Sequence, residues 1–122
     1  MAIQTTAERR TLTASTLTGN AVRNSQGERL GKIEDFMLDL ETGRIAYCVL
    51  SFGGFLGMGD KLFAVPWNAM TLDMVNHEFI LDVPQERLKQ APGFDKDNWP
   101  DISDRQWGSR VFAFYNVAPY WE

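Results

Sequence analysis

The sequence has one cysteine, one histidine, no long apolar run and a deficit of cations, and each scarcity removes a class of function. A single thiol, Cys48, cannot close an intrachain disulfide, so a reducing cytoplasm is the expected compartment, and no thiolate cluster is left for zinc. No stretch approaches the ~18 apolar residues of a membrane-crossing helix, so membrane insertion is not expected. Met1 to Thr18 lacks the apolar centre of a signal peptide, since Leu12 and Leu17 sit among threonines and serines. Twelve lysines and arginines stand against 16 acidic residues, giving a net charge of −4 and a pI near 4.9. Broad phosphate contact needs a basic surplus on one face, and so does adsorption to an anionic membrane; direct nucleic-acid binding is not expected. The lone histidine, His77, has no nucleophile patterned beside it, and no catalytic residue is expected.

What remains is enough for one folded domain. A chain of 122 residues, 44% hydrophobic, can bury a core without staples. Its first 13 residues are polar and threonine-rich and read as a flexible arm. Residues 14–83 read as mainly β, a small barrel of about six short strands. Ala14 to Thr18 is a single turn, and Asn20 to Arg23 a short strand before the Asn24-Ser25-Gln26-Gly27 turn. In Glu28 to Leu40 the apolar spacing changes from three (Leu30, Ile33, Phe36) to two (Phe36, Leu38, Leu40). Such a phase change inside a strand calls for a bulge near Glu34-Asp35. Arg44 to Phe52 is apolar on both faces, with Ile45, Tyr47 and Val49 on one and Ala46, Cys48, Leu50 and Phe52 on the other. Both faces must then be covered, one by the barrel interior and the other by the C-terminal segment or a second copy of the chain. Lys61 to Val65 is a strand, Trp67 to Met70 a turn, and Thr71 to Val75 with Glu78 to Val83 a hairpin about Asn76-His77. Residues 84–122 form a helical and irregular, aromatic-rich extension. It has a short helix capped by Asp82, an irregular stretch from Ala91 to Asp101, and a helix opened by the capping box Ser103-Asp104-Arg105-Gln106 and running to about Tyr115.

Four glycines in residues 53–60 suggest a phosphate cradle, but a strand follows instead of a helix, so no helix dipole faces a ligand. Phe55, Leu56 and Met58 at the loop tip are read instead as apolar contacts for a partner or second protomer. Cys48 reads as a core or interface residue, together with Leu50 and Phe52 on its face. Asp35 falls at the expected bulge, where a short carboxylate accepts backbone N–H groups freed from the ladder. Asp95-Lys96-Asp97-Asn98 hints at a calcium loop, but Trp99 stands where an oxygen ligand belongs and Pro100 where glycine is required. No metal or other cofactor is expected. Trp107, Tyr120 and Trp121 complete the candidate partner or dimer surface, because tryptophan and tyrosine dominate interface energetics.

Gly19-Asn20-Ala21-Val22, Gly27 to Asp35, Asp39, Gly43-Arg44-Ile45-Ala46-Tyr47, Gly53-Gly54-Phe55-Leu56-Gly57 and Ala64-Val65-Pro66-Trp67 together resemble the PRC-barrel domain. In the tail, Ala91-Pro92-Gly93-Phe94 and Asp97-Asn98-Trp99-Pro100 resemble small stand-alone bacterial members. The resemblance implies a compact β-barrel shared by the cytoplasmic domain of the photosynthetic reaction-centre H subunit and the C-terminal domain of a ribosome maturation factor. Both supply binding surfaces and no catalytic residues. The expectation is therefore a non-catalytic protein-interaction or scaffold module, a homodimer, with an unknown protein partner. Alternatives are a reaction-centre H-like or electron-transport accessory role, and a small-ligand or catalytic site using the glycine-rich loop and His77. Ribosome association is a further option.

Overall fold

The structure, a computed structural model, describes residues 12–52, 61–101 and 103–122. Most of the expected arm and the glycine-rich loop, with Phe55, Leu56 and Met58, lie outside these residues. The chain runs through α1 (Ala14–Leu17), β1 (Ala21–Arg23), β2 (Arg29–Asp39), β3 (Arg44–Phe52), β4 (Lys61–Val65), a 3-10 turn (Trp67–Ala69), β5 (Met70–Asp73), β6 (Glu78–Leu81), α2 (Gln85–Leu88), β7 (Gly93–Phe94) and α3 (Arg105–Phe114). The strands form one sheet in the order β5-β6-β1-β2-β3-β4-β7. Neighbours pair antiparallel except β1 and β6, which are parallel. An Arg23–Glu78 ion pair at 2.8 Å spans that parallel join. A closed barrel is not what the pairing gives: β5 and β7 are edges, and no ladder joins them among the described residues.

The phase change in β2 has the cause its spacing predicts. Ile33 pairs with Leu50 and Asp35 with Val49, so β2 spends one residue more than β3. Asp35 turns its carboxylate back to accept the Phe36 N–H at 2.8 Å. A second shift, between Met37 and Leu38, puts the additional residue on β3 at Ala46. Nothing in the apolar spacing announces this one. Gly31 makes the close approach of β2 and β3 feasible: its φ is +150°, and a Cβ there would fall on the Ser51 carbonyl.

From Ala46 to Phe52 every residue of β3 is buried. On one face Leu50 lies in register with Ile33 and Phe63, and the Phe52 ring packs on Phe63 at 6.2 Å. On the other, Tyr47 lies under Trp107 at 5.3 Å and Phe112 at 5.4 Å. The cover of this outer face is therefore the chain's own C-terminal segment, and no second copy is needed for it. Fully burying one such large apolar side chain is worth roughly 1.5–3 kcal/mol over leaving it exposed, which is what draws α3 onto the sheet.

Several local expectations shift. Asp104, not Ser103, caps α3, accepting the Gln106 and Trp107 N–H groups at 3.0 and 3.3 Å. Pro84 precedes α2 with no side-chain cap, and Asp82 instead accepts the Ser25 hydroxyl at 2.5 Å. The stretch expected to be irregular contains β7, which adds to β4 through Leu62–Phe94 and Phe63–Gly93 pairs. Asn24, read as a plain turn residue, is buried. Its side-chain oxygen accepts the Gln26 and Glu28 N–H groups, and its amide donates to the Val83 carbonyl at 3.2 Å. One asparagine thus ties the β1–β2 turn to the end of the barrel segment.

Candidate interaction surface

The tail is fixed to the tip of the β2–β3 hairpin by polar contacts around an aromatic stack. The Tyr120 hydroxyl donates to Asp39 Oδ2 at 2.6 Å, and Arg44 Nη1 donates to the Tyr120 carbonyl at 2.6 Å. Asp39 and Arg44 are cross-strand partners, so two paired positions hold one tail residue from its two ends. Phe112 touches Tyr120 and Trp121 at 6.0 and 5.5 Å, and the Arg105 guanidinium lies 4.8 Å over the Trp121 ring. Gly108 lets α3 sit this low: a Cβ there would come within 2.5 Å of the Tyr47 hydroxyl oxygen and 2.9 Å of the Trp121 ring. The Tyr47 hydroxyl is buried beneath this layer without a hydrogen-bond partner, as is that of Tyr115. Burial pushes the pKa of both upward.

Asp39 titrates below the usual carboxylate range, first because of the Tyr120 hydroxyl and then because of the Glu41 N–H it accepts. Tyr120 is pushed up to about 12, by burial first and by its bond to Asp39 second. These shifts belong to a structural latch: each group favours the protonation state that keeps the hydrogen bond.

The expected surface residues divide into two groups. Cys48, Leu50 and Phe52 are buried within the single chain and form no surface; that face of β3 packs into the core beside Phe63 of the neighbouring strand. Burial pushes the Cys48 thiol up, away from the reactive thiolate. Trp107, Tyr120 and Trp121 are half-buried, and their rings pack on Tyr47 and Phe112 of the same chain. Much of their apolar area is used in covering β3. His77 sits in the β5–β6 turn at φ 55°, beside the Asp73 carboxylate that accepts the Val75 and Asn76 N–H groups. Asp95 to Trp99 forms a turn in which the Trp99 indole donates to the Lys96 carbonyl at 2.7 Å. No group of three histidine, cysteine or acidic side chains converges among the described residues.

Two features remain open to a partner. The first is apolar surface on the β2–β3 hairpin, where Leu38 is 54% exposed and Leu40 89%, and on the 3-10 turn, where Trp67 is 37% exposed. Phe36, on the same side of β2 as Leu38, joins them through its ring contact with Trp67 at 6.5 Å. The second is an open cleft of about 490 Å³ beside the start of β3, lined by Gly43 to Ala46, Trp67, Asn68, Phe112 and Tyr120. The sequence places Trp67 only at the start of a turn and Leu38 only in an alternation. The signal for Leu38 and Leu40 was present in that alternation, which carries apolar residues to a position where the hairpin outruns its neighbours; for Trp67 there was no such signal.

The described residues thus form an open seven-stranded sheet, bulged at its longest strands and covered on one face by its own aromatic tail. The model of the PRC-barrel domain matches residues 10–88, and the chain belongs to that family. The match ends with α2, so β7, α3 and Tyr120 of the latch lie beyond it, while Asp39 and Arg44 lie within it. No curated protein matches the chain. No helix among the described residues is long and apolar enough to cross a membrane.

Proposed function

We propose that this chain is a non-catalytic protein-interaction or scaffold module that works as a homodimer. Membership of the PRC-barrel family supports a protein-interaction role in general terms. The observation that carries the reading is the exposed apolar side chains of Leu38 and Leu40 on the β2–β3 hairpin, with Trp67 of the 3-10 turn beside Phe36. Apolar residues gathered at one end of a domain mark contact sites more often than residues scattered singly. The dimer no longer rests on the outer face of Arg44–Phe52, which the tail covers. It rests on the hairpin patch, the same surface that would be presented by each copy to the other across a two-fold axis.

Sedimentation velocity at micromolar concentration tests this. The wild type is expected to sediment as a dimer, and Leu38→Glu with Leu40→Glu as a folded monomer, because exposed substitutions change stability by only about 0.5 kcal/mol. A monomeric wild type sinks the homodimer. Reaction-centre H-like and electron-transport accessory roles are narrower forms of the same reading, distinguished by the identity of the partner.

A further inference from the structure

The ladder between β3 and β4 stops early, and the way it stops leaves a half-strand open. The pairs run from Phe52–Lys61 to Cys48–Val65. Continued in register, the ladder would place Trp67 opposite Ala46 and Ala69 opposite Arg44. Instead Pro66, which has no N–H to donate, leads into the 3-10 turn over Trp67–Ala69. Among the described residues no backbone hydrogen bond joins Arg44, Ile45 or Ala46 to this turn. On their other side these residues pair with Asp39 and Leu38 of β2, around the Ala46 bulge. Backbone groups of Arg44 and Ile45 on the β4 side therefore face the cleft, and buried Ala46 closes its inner end. Its walls come from opposite faces of the sheet. Trp67 belongs to the face of Phe36 and Phe79, with which its ring is in contact, and Phe112 and Tyr120 belong to the Tyr47 face.

An unpaired strand edge is a template for another extended chain, and side chains of an added strand alternate between the two faces. Here both faces would meet aromatic walls, so an occupant with apolar side chains of both parities is favoured. Charge at the mouth is also defined. Arg44 spends one donor on the Tyr120 carbonyl, not on a carboxylate, and the geometry of a guanidinium leaves further donors available. A small molecule would use the walls but leave the backbone edge unpaired; an extended peptide satisfies both.

We propose that the cleft beside Gly43–Ala46 binds an extended, apolar peptide segment of another protein by strand addition, with an acidic side chain of that segment set against Arg44. The proposal rests on the reading of the chain as a protein-interaction module and names the chemistry of the partner. The probe is a library of phage-displayed random heptapeptides panned against the immobilised full chain, with selected peptides resynthesised and bound to isotope-labelled protein. Selected peptides are expected to carry runs of β-branched or aromatic residues with one Asp or Glu. Their amide shift changes should concentrate at Gly43–Ala46 and Asn68. N-methylation along the peptide edge that faces β3 should weaken binding at least about tenfold, as should replacing the acid by Lys. Arg44→Glu should also weaken the acidic peptide and restore the Lys peptide, while Arg44→Lys should retain the acidic one. Failure to select any peptide overturns the proposal, and so does binding indifferent to N-methylation. Binding indifferent to the acid overturns the charge assignment. Because the peptide changes leave the protein untouched, a misfolded variant does not obscure the result. If shifts map to Leu38 and Leu40 instead, the cleft proposal falls while the interaction module stands; if no peptide binds and the wild type is monomeric, both fall.

Discussion

From Cys48 to Ser51, β3 pairs with a strand on each side; from Arg44 to Ala46 it pairs with a strand on one side and borders a cleft on the other. The two halves share a sequence style, with apolar residues at nearly every position. Their difference arises outside them, from where β4 turns away. The inner half has its ladder and its neighbours complete within the chain and holds the fold together. The outer half keeps part of its backbone and part of Ile45 available. Apolar content alone does not say which half does which.

This division can be broken at a single pair of residues. Leu50 is fully buried between Ile33 and Phe63 in register, so Leu50→Ala should lose about 2–5 kcal/mol through lost transfer energy and the cavity left behind. Ile45 is only half-buried, and Ile45→Ala should lose about 1 kcal/mol. Urea unfolding of the two variants, with unchanged denaturant slopes, measures the contrast. Amide hydrogen exchange gives an independent view: Val49 and Leu50 should exchange only through global opening, and Arg44 to Ala46 through local opening of lower free energy. Equal losses, or equal protection, would show that the outer half is as much core as the inner one.

The second contrast lies under the tail, where packing is complete but hydrogen bonding is not. The Tyr47 hydroxyl is buried under Gly108 and Trp121 without a partner, and an unsatisfied buried hydroxyl costs about 1–3 kcal/mol. Tyr47→Phe should therefore leave stability unchanged or raise it by about 1 kcal/mol, since the ring keeps its contacts with Trp107 and Phe112. A thermal melt decides the sign. A clear loss would mean that an ordered water or a shifted tail supplies the missing bond.

How far the sequence could be read follows the same line between local and long-range causes. The bounds of most strands, the Glu34-Asp35 bulge and the turn at Asn76-His77 were legible because phase, turn residues and short carboxylates act within a few positions. The need for a cover over Tyr47 was legible too, because a strand apolar on both faces demands one. That the cover is α3 of the same chain was not, since nothing local distinguishes an aromatic that packs inward from one that waits for a partner. Nor was the cleft. It depends on Pro66 ending one ladder, on Ala46 bulging another, and on Phe112 and Tyr120 arriving from 66 and 74 positions further along than Ala46. The Asp39–Tyr120–Arg44 latch joins positions 81 and 76 apart, which no spacing rule reaches.

That latch supplies the smallest expected effect and the finest test of the outer half, because it anchors the wall of the cleft to the hairpin tip. Asp39 has a lowered pKa in the folded chain, so its contribution is present above its ordinary value near 4 and is lost as pH falls through the depressed folded value. Tyr120 is raised to about 12, so its contribution is present below about 10 and is lost as pH rises toward 12. Between those limits the hydrogen bond is intact and stability should be flat with respect to this pair. Tyr120→Phe removes the hydroxyl but keeps the ring on Phe112 and Trp121. Its stability–pH profile should run close to that of the wild type only below the depressed folded pKa of Asp39, separate from it as pH rises from there to about 4, and converge again on the alkaline side. The separation is small because Asp39 is only half-buried, at the tip of a hairpin, and its charge is largely screened by solvent. Profiles that never separate would mean that Tyr120 is held by its ring and by Arg44 without help from its hydroxyl, and that the wall of the cleft is free to move without breaking any bond to β2.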